Sequence, residues 1–160
     1  MRILVSSVIV LMLTACTGLM PVRDDVKSEF TFDYQIPGKT KDELWKSARD
    51  FFAGTYGDSR SVFRVMDQVD GTIIGKGTAS WALLGNECIT DYHVRFAAKD
   101  AKARLQFEII RGVPPLSKCQ GWPWPTEDGY NEIVNSCMLV SIGLEASLRG
   151  EGNSNKLKDF

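Results

Sequence analysis

Histidine is nearly missing from this chain of 160 residues, in which His93 stands alone. That scarcity excludes a metal centre built on several imidazoles, and it leaves any Ser-His or Cys-His nucleophilic pair with one possible base. Cysteine is sparse as well: the four residues Cys16, Cys88, Cys119 and Cys137 are scattered, with no Cys-x-x-Cys spacing of the kind used by zinc ribbons and dithiol redox motifs. There is no excess of charge of either sign, since 19 Lys plus Arg stand against 20 Asp plus Glu. Neither nucleic acid nor an anionic bilayer surface is therefore indicated as a partner. No apolar run reaches the roughly 18 residues of a membrane-spanning helix. Gly75-Lys76-Gly77 lies inside a predicted strand and lacks the turn into a helix that phosphate-binding loops require. No internal repeat is evident.

What is present begins at the N-terminus. Met1-Arg2 precedes an apolar run from Ile3 to Leu13, broken only by Ser6 and Ser7. At about 1.5 Å per residue such a helix covers roughly half of a ~30 Å hydrocarbon core, so it reads as the apolar region of a secretory signal. Leu13-Thr14-Ala15-Cys16 then resembles the lipobox of bacterial lipoproteins. The resemblance implies that Cys16 is the lipid attachment site, carrying a diacylglycerol thioether and becoming the acylated N-terminus. Three acyl chains, at about 0.8 kcal/mol per buried CH₂, hold a domain on a bilayer essentially permanently. Thr17 is not the aspartate that resembles an inner-membrane retention signal. The expectation is therefore anchorage in the outer membrane, with the domain facing the periplasm. The chain divides accordingly into a signal peptide (1–15), a lipidated cysteine with its tether (16–28), a single domain (29–149) and a polar, flexible tail (150–160). Removing residues 1–15 costs one charge, Arg2, and leaves a net charge of −2.

Within the domain the periodicities alternate. Phe30, Phe32, Tyr34 and Ile36 share one face of a strand that Pro37-Gly38 stops. Thr40-Lys41-Asp42-Glu43 fits a capping box, and Leu44, Ala48, Phe51 and Thr55 form a stripe of helical period ending near Gly54 to Gly57. Four strands follow, predicted over Val62–Gln68, Thr72–Trp81, Ile89–Ala98 and Ala103–Arg111, with Asp70-Gly71 and residues 99–102 as hairpin turns. Gly75, Gly77 and Ala79 share the face of Ile73 and Trp81, which suggests room for a helix to approach the sheet closely. After a long loop, Ile133, Cys137, Val140, Leu144 and Leu148 line the core face of a second helix starting at about Tyr130. The order β-α-β-β-β-β-α predicts a two-layer α+β domain: an antiparallel sheet of about five strands, both helices on one face, the other face open.

The stretch from about Phe30 to Ile110, with "IPGKTKDELWKSARDFF", "DGTIIGKGTA" and "YHVRFAAKDAKARLQFE", resembles a bacterial domain-of-unknown-function family with a TATA-binding-protein-like fold. The resemblance implies a fold and brings no functional residues with it. The family's fold name does not imply DNA binding.

No catalytic residue, cofactor or metal ligand is expected. His93 alternates outward with Asp91 and Arg95 on a strand whose Tyr92, Val94 and Phe96 face inward, so it belongs to a solvated strand face. Two surfaces are candidates for a protein or glycan partner. One is the open sheet face, where Arg95 and Arg104 stand among Lys76, Thr78, Ser80, Gln106 and Glu108; the other is the Gly121–Pro125 loop with Trp122 and Trp124. Cys88 precedes one strand of the last hairpin and Cys119 follows the other, so both lie at the same end and are expected to form a disulfide, with Cys137 reduced and buried. The function expected is that of a lipid-anchored envelope lipoprotein with a non-catalytic binding domain, an accessory or structural component. The alternative is an inhibitor or immunity protein against an enzyme acting on the cell wall, with the Trp-Pro loop as plug.

Overall fold

The structure, a computed structural model, describes residues 25–56 and 62–151. Strand β1 (Glu29–Gln35) leads into helix α1 (Lys41–Thr55). Strands β2 (Phe63–Asp67), β3 (Thr72–Leu83), β4 (Asn86–Lys99) and β5 (Lys102–Ile109) follow, and helix α2 (Glu127–Arg149) closes the domain. The five strands form one sheet in the order β1-β5-β4-β3-β2, antiparallel at every junction. The fold is the two-layer α+β arrangement that the strand and helix periods imply.

Each element forms for a local reason. At the start of α1 the Thr40 hydroxyl accepts from the Glu43 amide while the Glu43 carboxylate accepts from the Thr40 amide at 2.9 Å, the reciprocal capping box. The α1 N-terminus is also held from outside, since Asp100 in the β4–β5 turn accepts from the Lys41 amide at 2.8 Å. Helix α2 begins three residues earlier than its apolar stripe suggests, because Thr126 caps it by accepting from the Gly129 amide. It ends at Gly150, which adopts the left-handed conformation that terminates helices.

Strands β3 and β4 are longer than the predicted segments and meet in a two-residue turn, Leu84-Gly85, with both φ angles positive. Positive φ at both central positions is the requirement of a type I′ hairpin turn, whose twist matches that of the strands. Along β3 every second residue is buried, from Ile73 to Leu83, and the same alternation runs through β4 and β5. The buried set includes Leu44, Ala48 and Phe52 of α1 and Ile133, Cys137, Leu144 and Leu148 of α2, which form one core with the inward face of the sheet.

The two glycines of β3 serve a purpose other than the close helix approach expected from them. A Cβ at Gly75 would meet the Val62 carbonyl and the Phe63 ring, and one at Gly77 would meet the Tyr92 ring. These glycines make room for neighbouring residues of the sheet itself. The close approach of helix to sheet is made instead by Gly129 of α2, where a Cβ would lie 2.5 Å from Cε3 of Trp81.

Candidate functional site

The open sheet face carries its charges in cross-strand pairs. Arg104 lies opposite Asp33 in the β1–β5 register and grips both carboxylate oxygens, at 2.6 and 2.9 Å. The Arg104 contact holds the Asp33 carboxyl below its ordinary range and raises the guanidinium in turn. Arg95 reaches the Glu108 carboxylate at 3.3 Å, where His93 also contacts it at 3.5 Å, and Lys76 pairs with Asp91 at 2.6 Å. Arg95 and Arg104 thus share one face, as the alternation requires, but each is already matched by a carboxylate of the same sheet. Both pairs are solvent-exposed, so a ligand carboxylate or phosphate would exchange with those partners at the guanidinium groups.

The Trp-Pro loop turns inward. Trp124 is 5% exposed and belongs to the core, with the Arg111 guanidinium 5.6 Å from the centre of its ring. Trp122 is half-buried, edge-on to Trp81 with ring centroids 6.5 Å apart. As a partner-stacking surface Trp124 is therefore corrected: its indole roofs the end of the core between sheet and loop, because burial of so large an apolar area outweighs exposing it. The same loop carries Cys119, which is bonded to Cys88 with Cα atoms 5.5 Å apart. Ser117 secures the junction, its hydroxyl accepting from the Ile89 and Cys119 amides at 3.1 and 3.2 Å. Cys137 is free and buried on α2, and burial pushes its thiol up to about 11. Cys16 lies outside the described residues.

The inner layer holds a polar seam. Tyr56 and Tyr92 join hydroxyls at 2.9 Å, and Tyr34 meets the Ser141 hydroxyl at 2.8 Å. Burial is the first cause in each case of a raised tyrosine pKa, reaching about 12 for Tyr34. Such groups stay protonated and serve as structural hydrogen-bonding partners. Among the described residues no cluster of three or more His, Cys, Asp or Glu is placed to hold a metal ion, and no helix is long and apolar enough to cross a membrane.

The feature that the sequence reading did not identify lies at the lateral edge of β3. Strand β2 pairs with β3 only as far as Gly75, so from Lys76 to Leu83 that side of β3 has no strand beside it among the described residues. The Ala82 amide points away from β4 and donates to the Glu132 carboxylate of α2 at 3.0 Å. Backbone groups alternate sides along a strand, so those of Thr78 and Ser80 point outward with it. A recess of about 230 Å³ opens beside this edge, lined by Ala79, Tyr92, Phe107, Cys137 and Val140 together with the hydroxyl-bearing Thr78, Ser80 and Ser136. A second, of about 370 Å³, lies toward the hairpin turn and is bordered by Trp81, Ala82, Asn86, Glu87 and Glu132. The signal available in the sequence was the shortness of the β2 segment relative to β3, which among the described residues leaves about two-thirds of the longer strand without a partner on that side.

Comparison with known proteins agrees with this architecture. No curated protein matches the chain. Among solved structures, a DUF4468 family protein from Bacteroides ovatus ATCC 8483 superposes with a TM-score of 0.52 at 14% identity, covering 87% of this chain and 94% of that one. A TBP-like protein from Parabacteroides distasonis ATCC 8503 gives a TM-score of 0.50 at 14% identity over 80% of this chain and 86% of the other. Residues 30–112, which run from β1 to just past β5, match the model of a domain of unknown function (DUF4468) with TBP-like fold, and the chain belongs to that family.

Proposed function

We propose that this protein is a lipid-anchored component of the bacterial cell envelope whose domain works by binding another envelope molecule rather than by catalysis. The observation that carries the anchor is the Leu13-Thr14-Ala15-Cys16 sequence directly after an apolar run and a single positive charge. A tether from Cys16 to β1 at Glu29 spans at most about 45 Å when extended. That length keeps the domain in the periplasm within reach of components on or near the membrane.

The reading is tested by Cys16→Ser. Metabolic labelling with an alkyne-bearing palmitate analogue should mark the wild-type protein and leave the variant unmarked, and wild type should sediment with outer membranes while the variant does not. Wild-type protein recovered in the soluble periplasm would overturn the assignment. An enzyme of wall metabolism recovered at one-to-one stoichiometry with the anchored protein, and losing its activity in that complex, would replace the accessory role by the inhibitor role.

A further inference from the structure

We infer that the edge of β3 beyond its pairing with β2 is a docking site for an extended segment of a partner protein, which adds to the sheet as a further strand. The inference rests on the reading of the domain as a binding module and names the kind of partner it takes. Three observations meet at this edge. The first is the backbone: Thr78 and Ser80 present outward N–H and C=O groups with no strand beside them among the described residues. A long unpaired edge is what sheet proteins ordinarily shorten, bulge or cover, and β3 has no proline and no bulge beyond the pairing with β2.

The second is the recess beside Ala79, most of whose exposed lining is apolar. An added strand points alternate side chains to opposite faces, so the residue opposite Ala79 would aim toward α2, into the space bounded by Tyr92, Phe107, Cys137 and Val140. An aliphatic side chain suits that volume and lining. The third is charge. Glu87 and Glu132 border the neighbouring recess, and neither has a cationic partner among the described residues; their contacts are the Ser80 hydroxyl and the Ala82 amide. A residue opposite Ala82 would stand across β3 from Glu87, whose carboxylate leans over Ser80, and would meet Glu132 where it holds the Ala82 amide, which favours a long lysine or arginine side chain there.

The occupant that fits is therefore a segment antiparallel to β3, as every other junction of the sheet is, with a basic residue three positions before an aliphatic one. A second copy of this chain fits poorly. Its own edge would bring Gly77 and Ala79 to the recess, which leaves the recess empty, and its Trp81 is already buried in its own core.

The test is a phage library of octapeptides panned on the full mature protein in detergent. Enrichment of Lys/Arg-x-x-aliphatic sequences is expected, with binding by a synthetic selected peptide at least tenfold weaker to Thr78→Pro. The Thr78 amide faces outward, so proline there removes no hydrogen bond to β4 and blocks only an incoming strand. In the Glu87→Lys, Glu132→Lys double variant the preferred residue should switch from basic to acidic, a result that does not depend on how the proline variant folds. Failure to enrich any peptide, equal binding to Thr78→Pro, or no switch in charge preference would overturn the inference. So would a protein that sediments as a dimer and becomes monomeric with Thr78→Pro. Peptide binding is read independently of lipidation, so its failure and the failure of the anchor assignment are separable.

Discussion

Gly129 is the residue on which the approach of the two layers depends. It sits in the first turn of α2, where alanine would ordinarily be favoured by about 1 kcal/mol, yet its missing side chain is the space taken by the Trp81 ring. Trp81 cannot shift freely, because its indole N–H donates to the buried Thr90 hydroxyl at 3.0 Å. Overpacking of this type costs about 1–3 kcal/mol. Gly129→Ala should therefore be less stable by up to about 2 kcal/mol in urea denaturation followed by tryptophan fluorescence, against the direction that helix propensity alone predicts. An unchanged midpoint would mean that α2 can lift off Trp81 without loss. Sequence patterning does not expose this contact. A glycine at a helix start looks like a weak helix former, and nothing in the spacing of Ile133, Cys137 and Leu144 tells which residue of β3 lies beneath it.

The elements themselves were legible where side-chain chemistry acts locally. The alternation of Phe30, Phe32, Tyr34 and Ile36 identifies β1, and the Thr40–Glu43 box identifies the start of α1, because both depend on neighbours a few residues away. The β3–β4 turn was not legible, for a physical reason. Its first residue is a leucine held at positive φ and 78% exposed, a position where asparagine or glycine is the usual marker. The strained choice suggests its own test. Leu84→Asn should stabilise the domain by up to about 1 kcal/mol, seen as a higher thermal midpoint, since asparagine enters the left-handed region at less cost and no buried contact is given up. A lower midpoint would show that the exposed leucine contributes something the turn geometry does not reveal.

At the scale of the whole molecule, the Cys88–Cys119 disulfide ties the β3–β4 hairpin end to the loop that roofs the core, across a sequence separation of 31 residues. Closing a loop of that size removes about 3.5–4 kcal/mol of unfolded-chain entropy in the simplest model. The Cys88→Ala, Cys119→Ala pair should lose about 2–4 kcal/mol of unfolding free energy, measured by chemical denaturation, with Cys137 resisting alkylation until the wild-type chain is unfolded. The pairing was legible because the short turn between β4 and β5 puts both cysteines at one end of a hairpin. The placement of Trp124 was legible only in part: large aromatics in long loops usually pack inward, as this one does, but the contact-surface reading stays open until the loop path is known. The pairing of Arg104 with Asp33 likewise depends on the register between strands far apart in sequence.

That register also governs the order in which the protein can assemble. Strand β1 precedes the other strands, yet its only strand partner among the described residues is β5, with Glu29 opposite Glu108, whereas β2 through β5 are joined to their neighbours by short turns. Local hairpins close early and distant pairings late. A chain emerging N-terminus first must therefore carry β1, with its half-apolar face uncovered, until nearly the whole domain has followed it, and the seam between β1 and β5 is the last part of the sheet to close.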